Sequence, residues 1–356
     1  MKTFMEDIRV IYNKLGDEIS KEIFINRLAY NMTNDRKWIR NVIKTGGGYG
    51  EEFLEKMNRA IAEGRELYIF GAGAWGENLL DSYSDIGFSC FIDNDIDKCN
   101  KNVKGLPVIS FDEWIKKRDN SMVIISSRLY HEEQYAQLIE HKIPEERIIN
   151  AGKMIDNLGE LQYFDLPKLK EFQLKDEVFV DAGAFDGNTS ALFAQWAEGT
   201  YKKIYAMEPE PNNREKCKEV LKSLGKEYEI LPFGAWDKRE RVSFSAGLMG
   251  SSHVIESKAE YNENKITILA DKMDDLIHER VSFIKMDIEG AELKALYGAE
   301  NLIKTYKPKL AICVYHRKED IWQIPKLILN YVPEYKFYLR HYRLNEDETV
   351  LYGVIE

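Results

Sequence analysis

An acid, a lysine and a histidine stand where a parallel sheet would deliver chemistry. Asp287 closes the apolar run Phe283-Ile-Lys-Met286, and His316 closes Leu310-Ala-Ile-Cys-Val-Tyr315. Ligands of open α/β sheets bind outside the carboxyl ends of the strands. An acid at that place is costly unless it is paired or at work. Lys285 lies two residues before Asp287, so both point to one side of the sheet. One reading is a buried Lys285–Asp287 pair. The other is a poised base, with Asp287 or His316 taking a proton and the other orienting the substrate. Glu289 and Glu292 suit dipole compensation at a helix N-terminus. A cluster of His and acids is also metal-ligand chemistry, but no helical i,i+4 ligand pair supports it and no metal is expected. His341, in Arg340-His-Tyr342, reads as structural.

A second constellation lies upstream. In Val180-Asp-Ala-Gly-Ala-Phe-Asp-Gly-Asn-Thr-Ser190 an apolar strand ends in an acid, a glycine turn follows and a helix begins. Glycine lets a ligand approach the backbone, and the helix N-terminus offers free N–H groups. Glu208 ends the next strand, 208 − 181 = 27 residues on, where an acid accepts from ribose hydroxyls. The first half of the chain carries a parallel device. Gly71-x-Gly-x-x-Gly76 follows one strand, and Asp93 ends the next, 93 − 73 = 20 residues after Gly73. Nucleotide or nucleotide-sugar binding, an empty structural cleft and NAD-dependent redox chemistry are the three readings of that region.

These residues need elements to hold them. Apolar runs at Leu67–Phe70, Ser89–Asp93, Pro107–Ile109, Met122–Ile125 and Ile148–Ile149 alternate with helix-period segments. The rhythm resumes with Val178–Asp181, Ile204–Glu208, Tyr228–Leu231, Phe283–Asp287 and Leu310–Tyr315. Such alternation predicts parallel sheets with right-handed crossovers. The last two runs, Tyr335–Tyr342 and Thr349–Ile355, share one polar turn and predict an antiparallel ending. One helix is expected over Ala291–Tyr306 and another over Asp320–Tyr331. Residues 1–64 read as a helical appendage, broken at Thr45–Gly50, that packs on a domain or mediates self-association. A Rossmann-like domain is expected at 65–150 and a polar linker at 151–176. The second domain covers 177–356, with short β pieces around Gly247, Gly250, Ser251 and Ser252.

Composition narrows the class. The chain has 356 residues, 44% apolar and 31% charged, with a net charge of −10. That excludes a disordered chain and any general attraction for nucleic acid or anionic membrane. No apolar run reaches the roughly 18 residues of a transmembrane helix. Cys90, Cys99, Cys217 and Cys313 make no C-x-x-C pair and read as reduced thiols of a cytoplasmic protein.

Six segments, FVDAGAFDGNTS, IYAMEPEPNN, LPFGAWD, FIKMDIEGAELKALYGAENLI, LAICVYHRKED and YLRHY with ETVLYG, occur in this order. Together they resemble the FkbM family of class I S-adenosylmethionine-dependent methyltransferases. The resemblance implies a seven-stranded, mostly parallel sheet with an antiparallel last strand. It implies that Asp181, Gly183 and Gly187 line the methionine and ribose end of the cofactor. Glu208 is then the ribose acid, and Ala235, Trp236 and Asp237 meet the adenine; Trp236 alone reads equally as core. More loosely, 65–150 resembles the Rossmann-like modules of bacterial sugar- and polysaccharide-modifying enzymes, with Gly71, Gly73, Gly76 and Asp93 as its nucleotide-binding positions. The implied activity is O-methylation of a saccharide or glycan-precursor hydroxyl. The alternatives are a nucleotide- or nucleotide-sugar-binding regulatory protein without turnover, and a bifunctional enzyme with an NAD-dependent first domain.

Overall fold

Apolar β-branched and aromatic runs form the strands, and amphipathic segments form the helices between them. The computed structural model describes residues 3–245, 253–254 and 265–356. They group into two compact units. The first holds 25–162 and 341–347; the second holds residues 3–24, 163–340 and 348–356.

Among the described residues, the first unit contains a six-stranded sheet. Its strands are β1 (Glu66–Phe70), β2 (Phe88–Asp93), β3 (Asn102–Val103), β4 (Leu106–Ser110), β5 (Ser121–Ile125) and β6 (Ile148–Asn150). The order is β3-β4-β2-β1-β5-β6, parallel except for the β3–β4 pair. The chain steps outward on one side of β1, then crosses to β5 on the other. That reversal opens a crevice at the carboxyl ends of β1 and β5. Phe70, Ile92, Trp114, Val123 and Ile125 are fully buried in its core.

The stretch expected as a polar linker opens instead with a helix, Ala151–Leu161. Asn150 caps it by accepting from Lys153 N at 3.0 Å. Ala151, Met154, Ile155 and Leu158 are buried, at the i, i+3, i+4, i+7 spacing of one face. The outward Asp156, Asn157 and Glu160 made the segment look polar. Of the N-terminal helices, Gly48–Ala62 packs on Ala151–Leu161 within the first unit. In the second unit Phe4–Lys14 packs on Asp320–Tyr331, with Phe4 edge-on to Trp322 and Lys326 paired to Asp7 at 2.6 Å.

The second unit carries β7 (Glu177–Ala182), β8 (Tyr201–Met207), β9 (Glu227–Leu231), β10 (Gly234–Ala235), β11 (Glu240–Ser245), β12 (His253–Val254), β13 (Lys265–Asp271), β14 (Phe283–Met286), β15 (Lys309–Cys313), β16 (Lys336–His341) and β17 (Thr349–Val354). Among the described residues seven of them form one sheet in the order β16-β17-β15-β14-β7-β8-β9. β7, β8, β9, β14 and β15 are parallel, and β17 runs antiparallel to β15, as expected. A smaller sheet runs β10-β13-β11-β12. Gly247, Gly250, Ser251 and Ser252, expected between short β pieces, lie outside the described residues. The single helix expected over Ala291–Tyr306 is two, Glu292–Tyr297 and Glu300–Tyr306. Gly298 sits at the break, where a Cβ would come within 1.9 Å of the Trp236 carbonyl oxygen. Fully buried Phe179, Phe193 and Phe283 fill the space against the main sheet, with Phe179 and Phe193 stacked at 4.2 Å.

Candidate active site

The carboxyl ends of β7, β8 and β14 converge on one glycine turn. Gly183 has φ +79°, a backbone state that favours glycine. A Cβ there would lie 2.0 Å from the Asp287 carbonyl oxygen, so the ends of β7 and β14 approach as only glycine permits. Gly187, φ +87°, precedes helix Asn188–Trp196 and faces the Cys217 backbone of the neighbouring helix.

Asp181 and Lys285 are both fully withdrawn from solvent. The Lys285 salt bridge goes to Asp181, at 3.0 Å, and not to Asp287 as the two-residue spacing suggested. The ammonium also donates to the Gly183 carbonyl oxygen at 2.9 Å, and Ser190 Oγ donates to Asp181 at 2.8 Å. This pair therefore fastens the glycine turn from below. Adjacent strands set this partnership, since Lys285 lies opposite Asp181 in the β14–β7 register.

Glu208 follows β8 and is buried. Its Oε2 accepts from Phe185 N at 2.9 Å and its Oε1 from Glu210 N at 2.8 Å. Burial pushes its carboxyl up to about 7, partly offset by those two N–H groups. Asn213 also donates to this carboxylate, which keeps acceptor capacity for a further donor. Ala235 and Trp236 are buried. Trp236 packs with Val242, Ile268, Ala270 and Ala291, donates from Nε1 to Glu240 at 2.7 Å and lies under the Lys294 ammonium. Its ring is core. Asp237 differs: its Oδ1 is buried without a hydrogen-bond partner.

Asp287 follows β14, its side chain 25% exposed. Tyr163 donates its hydroxyl to Asp287 Oδ2 at 2.8 Å, and Tyr315 donates to Oδ1 at 3.4 Å. Burial would raise the Asp287 pKa, but the Lys285 and His316 charges and the Tyr163 hydrogen bond hold it below the usual value. His316 sits among carboxylates: Nδ1 is 2.9 Å from Glu292, and Nε2 is 3.4 Å from Glu289 and 3.5 Å from Asp287. Burial opposes its charge, but Glu292, Glu289 and Asp287 overcome that and push its pKa up to about 12. Asp287, Glu292 and His316 present atoms of ligand type within 4.8 Å of one another, as do Asp287, Cys313 and Glu348. His341 is buried, and burial drives its pKa down to about 3, as befits a neutral structural ring.

Sequence reasoning missed Tyr163. It lies within the expected linker, with φ +74°, and its own N–H donates to Tyr352 Oη at 3.0 Å. Its ring also lies 5.4 Å from the Lys285 ammonium. No motif marks it.

Comparison with known proteins agrees with this architecture. Residues 181–341 match the family model of the Methyltransferase FkbM domain, and residues 64–149 match C2185-like, N-terminal. A solved methyltransferase FkbM from Methylobacillus flagellatus KT is 20% identical, with a TM-score of 0.52 over 87% of this chain and all of that one. At that identity the likeness shows the fold. A SAM-dependent methyltransferase from Aquifex aeolicus is 18% identical, with a TM-score of 0.34 over 58% of this chain and all of that one. An rRNA methylase from Streptococcus thermophilus is 15% identical, with a TM-score of 0.33 over 57% of this chain and 94% of that one. Those two scores carry no argument. No curated protein matches the chain.

Proposed function

We propose a substrate and a mechanism for a chain whose residues 181–341 make it an FkbM methyltransferase, dependent on S-adenosylmethionine: it methylates a hydroxyl of a saccharide or glycan precursor. The residues present suit the cofactor. Glu208, held by Phe185 N, Glu210 N and Asn213, keeps acceptor capacity for the ribose. The partnerless Asp237 oxygen suits the amino group of adenine. Asp181 acts indirectly, through Lys285 and the Gly183 turn. When bound, the cofactor supplies an electrophilic methyl group on a sulfonium.

The observation that carries the mechanism is the placement of Asp287. It is a part-exposed, ionised carboxylate at the cleft edge, held by Tyr163. An acceptor hydroxyl donating to Asp287 is oriented with an oxygen lone pair free to attack. Were that oxygen to bond to the methyl carbon as the carbon–sulfur bond breaks and a neutral thioether leaves, its proton would become strongly acidic. A carboxylate of low pKa can then take it, and solvent receives it afterwards. Orientation is the larger contribution, since effective molarity can supply about 7–11 kcal/mol. A placed base adds about 10²–10⁴-fold. His316 is not the base in this account, because its surrounding acids keep it protonated at neutral pH. Tyr163 is a positioning residue.

The saccharide assignment is supported by the first unit, which we read as a nucleotide- or nucleotide-sugar-binding module on its glycine turn and Asp93. Free, scattered cysteines support a cytoplasmic setting. Among the described residues no helix is long and apolar enough to cross a membrane. The test is methyl transfer from labelled donor to a panel of sugar nucleotides and oligosaccharides, with product mapping. Transfer to a sugar hydroxyl, reduced about 10²-fold or more in Asp287→Asn with donor binding intact, is expected. Transfer to nitrogen, or an Asp287→Asn enzyme at full rate, overturns the reading.

A further inference from the structure

The first unit repeats the nucleoside cradle of the second, bond for bond in its main features. Gly183 N donates to the carbonyl of Met207, the residue before Glu208; Gly71 N donates to the carbonyl of Ile92, the residue before Asp93. Glu208 accepts from the N–H two residues on and from the glycine turn. Asp93 does the same, from Asp95 N at 2.8 Å and from Ala72 N at 2.8 Å. Both acids are buried. Lys98 Nζ lies 3.3 Å from Asp93 Oδ2, which the second unit does not copy at Glu208. Gly71 (φ +111°) faces the end of β5 as Gly183 faces the end of β14: a Cβ there would meet Ser126 Oγ at 2.9 Å.

Two further features point to a ligand. Helix Ala74–Ser82 starts at Gly73 with no side-chain cap, so its first N–H groups face the crevice. Gln134, on helix His131–Glu140, is only 8% exposed, and its amide oxygen has no hydrogen-bond partner. Its Nε2 lies 3.7 Å from where a Gly71 Cβ would stand, so the amide abuts the turn. A buried amide oxygen without a partner costs about 1–3 kcal/mol, and a donor on a ligand at the turn would satisfy it. Leu129, Tyr130 and Ile96, on the loops after β5 and β2, are exposed apolar side chains at the same edge of the sheet. They suit the faces of a heterocycle.

We infer that the first unit binds a phosphorylated ribonucleoside, with ribose on Asp93, phosphate on the N-terminus of helix Ala74–Ser82, and Gln134 contacting the ligand at the Gly71 turn. This rests on the nucleotide reading of that unit given above and assigns its residues. The test is calorimetry on the full chain with ADP, UDP, their 2′,3′-dideoxy forms and inorganic phosphate, with S-adenosylhomocysteine saturating the other nucleoside site. One-site binding of ADP or UDP is expected, at least about tenfold weaker for the dideoxy forms and for Asp93→Asn. Gln134→Leu should weaken binding at least about tenfold without lowering the melting temperature, since it removes an unsatisfied buried amide oxygen. A merely structural Gln134 would leave binding unchanged. No binding of any ribonucleotide overturns the nucleotide reading of the unit altogether. Binding indifferent to the ribose hydroxyls and to Gln134→Leu overturns only this placement.

Discussion

In the proposed mechanism the cluster at Asp287 and His316 gives one group a proton to take and the other a proton to keep. Replacing His316 by Gln removes a positive charge beside Asp287. It should leave turnover within about tenfold and move the acid limb of the rate profile to higher pH. Loss of most activity would make His316 the base. Tyr163→Phe removes a hydrogen bond that favours the charged carboxylate, so the same limb should also rise, with donor affinity unchanged. Glu208 gives a separate pH signature. Burial holds its carboxyl up at about 7, and as the proposed ribose acid it accepts fully only when ionised. Donor affinity should therefore rise with pH and level off above it, being about tenfold weaker at about pH 6 than at about pH 8. Glu208→Gln should flatten that dependence. Isothermal titration across pH reads both outcomes. Asp181, Glu208 and Asp287 were legible as strand-end acids, because strands that end at a cleft announce themselves by apolar runs. Tyr163 was not, since its role comes from a chain excursion with no period. The Lys285 partner was misread because spacing within one strand says nothing of the residue opposite on the next.

The glycine turn between β7 and helix Asn188–Trp196 is the element on which the site depends. Its fastening is a buried ion pair, and breaking such a pair by removing one partner costs about 3–5 kcal/mol. Lys285→Met should lose about that much stability in urea titration, and donor affinity should fall with it because the Gly183 carbonyl loses its ammonium. Unchanged stability would mean that the turn holds itself. Element types were largely readable from periodicity, from β1 to the antiparallel β17. Breaks were not. The helix expected over Ala291–Tyr306 divides at Gly298 because the Trp236 carbonyl occupies the space of a side chain. Helix Ala151–Leu161 was hidden by the polar residues on its outer face.

In the whole molecule two units carry the same glycine-turn and acid device, and only the second adds acids at the end of its fourth parallel strand. With that asymmetry, the proposal gives methyl transfer to the second unit and ligand recognition to the first. With a cationic His316 paired to Asp287, Glu289 and Glu292, turnover should survive a chelator unchanged. Loss on chelation, restored by a divalent ion, would put a cation on Asp287, Glu292 and His316 instead. The most direct test of the account is S-adenosylhomocysteine binding to the intact chain and to Glu208→Ala, each followed by calorimetry. One site per chain is expected, weakened at least about thirtyfold by loss of the proposed ribose acid, with Asp287→Asn binding as the wild type does. Equal binding by wild type and Glu208→Ala would contradict it.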